Sequence, residues 1–335
     1  MAEPSQPAAQ SLPESLAVIP GVRWYHLADP ASPALDELAR IFHIHALQVE
    51  DCRHRRQTAR CEEHEGYTFI VIKALVDSPV QRPPVPAAPS SDLEDLTAIG
   101  PSHLRFEDFN IFLGPDYVLT VDEGNSHLIG SVLPRLRAEP SLQNPDRIAH
   151  ALIDVAVDRY LPALDRLGDF IDHLEDAVIR RPTPTLLREI FRLKRGLVEF
   201  RRVAVAMREA VNALLRRYDA QAAASDHGNR ELRLYYRDVY DHIVRILEFV
   251  ESYRDLLTGS LDIYLSAVAN RTNAVMKVLT LWGTIALPML ILTSFYGMNV
   301  KLPGQNHPLV LLLLLLAMGA STAGVIYYFW RKHWF

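Results

Sequence analysis

Cysteine is scarce in this sequence, and so are clusters of basic residues. The chain has 335 residues and two cysteines, Cys52 and Cys61, both set among charged residues. This pattern argues against a disulfide scaffold and favours a reducing compartment for that part of the chain. The formal net charge is −5 and no basic stripe is interleaved with aromatic residues, so nucleic acid is not expected as a partner.

The motifs of the common enzyme classes are also absent. The sequence contains no P-loop, no nucleophile elbow, no H-E-x-x-H motif and no Rossmann glycine pattern. We therefore predict that the protein is not an enzyme and carries no cofactor.

No long apolar run occurs before residue 278. Residues 21–228 instead begin with the mixed pattern of an α+β domain. Tyr67–Val76 is rich in β-branched and aromatic residues, as strands are, and Gly114-Pro115-Asp116 separates two further strand patterns as a hairpin turn does. Residues 1–20 are rich in proline and lack an apolar core, which predicts a disordered N-terminus rather than a secretory signal.

Helical patterns fill the chain after Gly124. They cover residues 144–180, residues 184–217 and the chain from residue 230 onward. In the last of them, apolar residues recur three or four positions apart on one face: Ile246, Val250, Tyr253, Leu257, Leu261, Tyr264 and Val268. The stripe predicts a long stalk helix over residues 229–277 that associates with other helices.

The two long apolar runs come at the end of the chain. Residues 278–296 and 309–330 contain no charge, and each is about 20 residues long, the length that crosses a hydrocarbon core. We predict two transmembrane helices in a lipid bilayer, joined by an extracytoplasmic loop over residues 297–308.

Basic residues flank the predicted hairpin on one side. Lys277 precedes the first span and Arg331-Lys332 follow the second, which places the N-terminal domain and the tail over residues 331–335 in the cytoplasm by the positive-inside rule. Lys301 in the outer loop weakens this asymmetry.

The predicted loop begins with a motif that a simple membrane anchor does not need. In the stretch FYGMNVKLPGQNHP, the carboxamide of Asn299 stands at the outer end of the first span. That span also carries small or polar residues: Thr280, Gly283, Thr284, Thr293 and Ser294. Two spans cannot enclose a pore, so conduction needs several copies that each contribute the first helix. A membrane anchor is the alternative.

These residues resemble the CorA family of divalent-cation channels. The family's YGMN signature is present as Tyr296-Gly297-Met298-Asn299, and similar segments precede it at residues 236–242, 254–266 and 270–280. The resemblance covers most of the chain from about residue 22. It implies an αβα cytoplasmic funnel domain, a long stalk helix and two C-terminal transmembrane helices. It also implies a homopentamer in the cell (inner) membrane that takes up Mg²⁺ and Co²⁺.

The resemblance further implies roles for individual residues. Selectivity at the pore entry is assigned to Gly297, Met298 and Asn299. The pore-lining and gate positions are Asp262, Asn273, Met276, Leu279, Leu287 and Ser294. Rings of Met and Leu suit a gate that closes by dewetting. Ordinary packing between helices or against lipid is the alternative for Met276, Leu279 and Leu287, and the residues alone favour it.

A regulatory metal site between subunits is the second feature that the resemblance implies. Asp238 matches the carboxylate on the stalk. Its partner on the neighbouring funnel domain would be one of three residues: Asp92, Glu94 or Asp95. A divalent cation is thus expected as regulatory ligand as well as substrate, because Mg²⁺ bridging two carboxylates favours the closed pentamer. The alternative is that Asp238 pairs with Arg233 or Arg237.

The outer loop departs from the magnesium-transporting members. It has no carboxylate, and Lys301 would oppose cation entry if it faced the pore. Pro303-Gly304 resembles the zinc-transporting ZntB branch, whereas Asn270–Thr280 looks like the magnesium branch. A ZntB-like Zn²⁺ transporter and a membrane-tethered metal sensor that does not conduct are therefore the alternatives.

Two further patterns concern cations. Asp154–Asp176 carries a row of acidic residues, which would either raise the local cation concentration or form a plain solvated face. Cys52, His54, Cys61 and His64 suggest zinc by their chemistry, but their spacing fits no common zinc module.

Overall fold

A computed structural model describes residues 17–19, 22–54, 56–76, 104–124, 127–138, 144–223, 227–298 and 308–332. The strands in these ranges are β1 (Ala17–Ile19), β2 (Val22–Leu27), β3 (Arg60–His64), β4 (Tyr67–Val76), β5 (Arg105–Leu113) and β6 (Tyr117–Val121). The helices are α1 (Pro33–Ile41), α2 (Ala46–Arg53), α3 (Leu128–Ala138), α4 (Pro145–Asp158), α5 (Tyr160–Arg180), α6 (Pro184–Ala223), α7 (His227–Tyr296) and α8 (Pro308–Arg331). The chain divides into two compact units, Met1–Leu261 and Asp262–Phe335.

The first unit is built on one mixed sheet with the strand order β1-β2-β6-β5-β4-β3. Only β2 and β6 pair in parallel among these strands, and the other neighbours are antiparallel. The predicted strand Tyr67–Val76 is β4, and the predicted hairpin joins β5 to β6 with Leu113 opposite Val118. Both predictions are confirmed.

Helices cover both faces of this sheet. Phe69, Val71 and Phe112 belong to a buried apolar cluster with residues of α1 and α2 on one face. On the other face, the Tyr160 hydroxyl at the start of α5 donates to the Lys73 carbonyl at 2.6 Å, and Arg217 of α6 bonds to Thr68. The arrangement is the αβα sandwich that was predicted for the cytoplasmic domain.

The helical pattern predicted over residues 144–180 is not one helix. It is divided into α4 and α5 by a turn at Arg159. The cause is Pro162, which has no N–H to donate to the Asp158 carbonyl one turn earlier. The single-helix prediction is therefore wrong at this point, and Pro162 is the residue that it overlooked.

The first strand begins earlier than the sequence pattern indicated. β1 lies at Ala17–Ile19, within the residues predicted as a disordered N-terminus, and it pairs with β2 in the register Ala17 to Trp24. The ordered sheet therefore starts before the predicted boundary at residue 20.

The second unit contains the apolar end of α7 and the whole of α8. Both helices are long and apolar enough to cross a membrane, and the most apolar segment of each is not buried inside the protein. Pro288 lies inside α7, so the Thr284 carbonyl lacks its usual helical donor. The helix nevertheless continues to Tyr296, where the predicted first span ends.

Candidate functional site

The apolar end of α7 has two faces that differ in exposure. Half-buried residues recur at helical spacing: Leu281, Ile285, Pro288, Met289 and Leu292. A corresponding row of half-buried residues runs along α8 and ends next to the buried Phe329: Val310, Leu314, Met318, Ser321, Thr322 and Val325. We infer that the two helices, which belong to one compact unit, shield each other along these rows.

The residues predicted to line a pore lie on the other side of α7. At about 100° per residue, Met276, Leu287 and Ser294 point almost directly away from Ile285. Leu279 is 71% exposed, Leu287 62% and Met276 60%. Asp262, Asn273 and Ser294 are exposed as well. All six residues therefore occupy one open side of the helix, within about a third of its circumference.

The threonine hydroxyls of the apolar segment are satisfied within α7 itself. Thr280 donates to the Met276 carbonyl at 2.8 Å, Thr284 to the Thr280 carbonyl at 2.7 Å, and Thr293 to the Met289 carbonyl at 2.8 Å. A lipid-exposed hydroxyl without a partner would be costly. These residues are thus compatible with a membrane and need no second chain for that purpose.

Gly297 and Met298, the first two residues of the GMN motif, directly follow the end of α7. The Gly297 amide donates to the Thr293 carbonyl at 2.9 Å, and a Cβ at Gly297 would approach that same carbonyl oxygen to 3.0 Å. Glycine therefore fits this close approach better than any larger residue. Met298 is about half exposed. Asn299, predicted as the entry residue, lies outside the described residues, as does Lys301.

Asp238, the predicted stalk carboxylate of the regulatory site, is exposed on α7. Its described partner is His242, whose Nε2 is 3.8 Å from Asp238 Oδ2 and whose Nδ1 is 3.4 Å from Asp158 Oδ1 on α4. The alternative pairing with Arg233 or Arg237 is wrong, because Arg233 pairs with Asp219 and Arg237 with Asp241. Asp92, Glu94 and Asp95 lie outside the described residues.

The acidic row on α4 and α5 is mostly a solvated face. Asp165, Asp169, Asp172 and Asp176 are exposed. Asp154 differs from them, because burial and then the charge of Asp158 raise its pKa to about 6. The Asp154 carboxyl therefore changes its charge near neutral pH.

The four cysteine and histidine residues of the zinc-like pattern do not come together. Cys52 is buried in the apolar cluster, His54 pairs with Glu50, and His64 bonds to Gln48. Burial raises the pKa of the Cys52 and Cys61 thiols to about 12. Across the described ranges, no group of three or more His, Cys, Asp or Glu residues is arranged to hold a metal ion.

The sequence patterns missed the contact between α4 and the stalk. His150 on α4 lies against the rings of Tyr235 and Tyr236 on α7, and Arg147 pairs with Glu231. These partners are more than 80 residues apart in the chain. No spacing rule connects them, so only the folded chain reveals the interface.

Comparison with known proteins identifies relatives along nearly the whole chain. Residues 20–332 match the family described as CorA-like Mg²⁺ transporter protein. The "Cobalt/magnesium transport protein CorA" of Thermotoga maritima is 32% identical over 304 residues, which cover 90% of this chain and 79% of the relative. The "Putative metal ion transporter YfjQ" of Bacillus subtilis is 29% identical, covering 94% of this chain and 91% of the relative.

A solved structure supports the same fold. The complete CorA magnesium transporter from Methanocaldococcus jannaschii superimposes with a TM-score of 0.74 at 23% identity, covering 94% of this chain and 92% of that chain. This likeness confirms the predicted fold class, in which an α+β domain is followed by a long helix and a C-terminal apolar helix.

Proposed function

This chain belongs to the CorA family of Mg²⁺ transporters, and we propose that it takes up divalent cations through a homopentameric pore. Mg²⁺ is the proposed principal substrate, and Co²⁺ is a second one. The family consists of transporters, so the prediction that the chain is not an enzyme is confirmed.

The observation that carries the proposal is the asymmetry of α7. One side is shielded along the row that contains Ile285, whereas the opposite side, with Met276, Leu287 and Ser294, is exposed in the single chain. A helix hairpin of this kind cannot surround an ion. Five copies arranged about an axis would turn the open sides towards a shared passage and keep α8 on the outside.

Ion selection is proposed for the outer end of this passage. Mg²⁺ dehydrates reluctantly, so carboxamide and backbone oxygens at Gly297, Met298 and Asn299 would bind the hydrated ion through its waters. Further in, rings of Met276 and Leu287 would close the path by excluding water. Asp262 and Asn273 would receive the ion at the inner end.

The proposed location is the cell (inner) membrane. The first unit carries an αβα domain with its ionisable side chains, and the flanking Lys277, Arg331 and Lys332 favour a cytoplasmic position for it and for the tail. Uptake would then be driven by a membrane potential that is negative inside.

Regulation is proposed at Asp238. The carboxylate is exposed and its described partner is a histidine at 3.8 Å, so it is available to a cation shared with a neighbouring subunit. Asp92, Glu94 or Asp95 would supply the other carboxylate. Binding between subunits stabilises the symmetric closed ring by mass action.

Flux into liposomes tests the proposal. The full chain is reconstituted with a metal-sensitive dye inside, under a negative-inside potential, and Mg²⁺, Co²⁺ or Zn²⁺ is added outside. We expect Mg²⁺ and Co²⁺ signals. We expect the loss of the Asn299 carboxamide to raise the barrier to ion entry by about 1.4 kcal/mol. Asn299→Ala should therefore lower the flux rate by about tenfold.

The matched control is Asn306→Ala, which changes an amide of the same loop outside the motif and should leave the rate unchanged. Absence of flux for all three ions would favour the non-conducting sensor instead. Flux of Zn²⁺ alone would favour the ZntB-like alternative, which Pro303-Gly304 and the lack of a loop carboxylate suggest. If Asn299→Ala conducts like the parent, the entry site is misassigned.

A further inference from the structure

A second surface of the protein has the composition of a ligand site. A groove of about 340 Å³ lies between α6 and α7 within the first unit. Its floor is apolar and is formed by Leu197, Val205 and Val250, of which Leu197 and Val250 are each 1% exposed. Its rim carries three arginines: Arg201, Arg202 and Arg254.

The charges on the rim do not balance. Glu251 accepts from Arg201 Nε at 2.5 Å and is 2.9 Å from a terminal nitrogen of Arg254. Arg202 makes no ion pair with any residue that the structure describes. Arg254 is also 3.5 Å from Asp255 Oδ1. Three guanidinium groups therefore face two carboxylates, Glu251 and Asp255, and the surplus charge is positive.

This combination of a dry floor and a cationic rim restricts the chemistry of an occupant. A simple inorganic anion would leave the apolar floor unused. A fatty acid would use the floor, but its carboxylate offers only two oxygens and one negative charge to three guanidinium groups. A polyphosphate attached to a flat aromatic base uses both parts, because guanidinium groups bind phosphate oxygens bidentately and also stack on aromatic rings.

We propose that this groove binds a nucleoside triphosphate. The base lies on Leu197, Val205 and Val250, and the phosphates engage Arg201, Arg202 and Arg254 in competition with Glu251. The volume falls within the range of small-molecule sites, which is roughly 300–1,000 Å³. Such a ligand would join α6 to the stalk segment of α7 and so stabilise their packing. The proposal does not depend on ion transport.

Equilibrium binding to the full chain in detergent, in a buffer with a metal chelator, tests the proposal. Three probes are compared by calorimetry: ATP, adenosine and inorganic tripolyphosphate. We expect ATP to bind at least about tenfold more tightly than either fragment, because each fragment lacks one half of the contacts. Equal affinity for ATP and tripolyphosphate would show that the base makes no contribution and that the arginines bind only phosphate, which would contradict the proposal. Undetectable ATP binding would also contradict it.

Three variants assign the binding to the groove. Arg202→Gln should weaken ATP binding by about tenfold, whereas Glu251→Gln should strengthen it severalfold by removing the competing carboxylate. Arg195→Gln, which changes an exposed arginine of α6 that does not line the groove, should change the affinity by less than about twofold. The proposal is wrong if Glu251→Gln weakens binding or if Arg195→Gln matches Arg202→Gln. Thermal unfolding verifies that all variants are folded.

Discussion

His150 is the residue through which we expect the packing of the stalk to depend on pH. Its side chain is buried between α4 and α7, with ring centroids 5.4 Å from Tyr235 and 5.1 Å from Tyr236. Its Nε2 has no hydrogen-bond partner among the described residues. Burial is the largest cause that lowers its pKa to about 4, and it outweighs a backbone hydrogen bond with Tyr235 that raises the pKa. The charges of Arg147 and Arg135 also lower the pKa, and the charge of Asp238 opposes them. The neutral ring therefore stabilises the fold above pH 6.5, and this contribution is lost as the pH falls through about 4.

The prediction is that His150→Phe reduces the acid sensitivity of the fold. Between pH 7 and pH 4 the parent should lose on the order of 2 kcal/mol that the variant retains, because phenylalanine preserves the ring contacts and cannot be protonated. Thermal unfolding of both proteins at several pH values measures the difference. The raised pKa of Asp154 gives a pH dependence of stability with the opposite sign. Because both proteins contain Asp154, its contribution cancels in the comparison. Parallel pH profiles would show that His150 is not the titrating group.

At the scale of single elements, the turn of the β5–β6 hairpin contains one close approach, between Gly114 and the Tyr117 ring. A Cβ at Gly114 would overlap the ring of Tyr117, and that ring is fixed because it is buried and stacks on Phe42 at 3.8 Å between centroids. The space beside Gly114 is thus filled by a side chain that cannot move away without disturbing α1 and the sheet.

Gly114→Ala is therefore expected to destabilise the fold by about 1–3 kcal/mol, the usual cost of overpacking. Gly196→Ala on α6 is the matched control. A Cβ there meets nothing within 4 Å, so we expect no loss, or a gain of up to about 1 kcal/mol from helix propensity. Denaturant unfolding of the two variants compares them. A Gly114→Ala protein as stable as the control would mean that Tyr117 can shift.

The elements also show which features a sequence can reveal. β4, the hairpin and the apolar helices were predictable because their signal is local: alternation, turn residues and uninterrupted apolar length. The division between α4 and α5 depends on a single proline within a strong helical pattern, and β1 becomes a strand only because β2 pairs with it. The alternative pairing of Asp238 with Arg233 or Arg237 was wrong because each arginine has another carboxylate within reach, and for Arg233 that carboxylate, Asp219, lies on α6 and is brought close only by folding.

For the whole molecule, the proposed regulation links cation binding to assembly. Asp238→Ala should abolish the protection of the stalk against limited proteolysis that Mg²⁺ gives to the parent, because a cation can no longer bridge two subunits there. The control is Asp241→Ala. Asp241 is another exposed carboxylate of α7, three residues further along, and it pairs with Arg237. If high Mg²⁺ protects the Asp238→Ala protein as well as the parent, Asp238 is not part of a regulatory site.

The central claim is that the open side of α7 faces an ion path while the side with Ile285 faces α8. Cysteine substitution at Leu287 or at Ile285 tests this claim directly. The native thiols of Cys52 and Cys61 are expected to react little with a thiol reagent, because burial raises their pKa to about 12. A positively charged thiol reagent is added during Mg²⁺ flux into liposomes that contain either Leu287→Cys or Ile285→Cys protein. The account predicts that the reagent blocks flux through the Leu287→Cys protein and leaves the Ile285→Cys protein conducting. Equal block of both, or block of the Ile285→Cys protein alone, would contradict it.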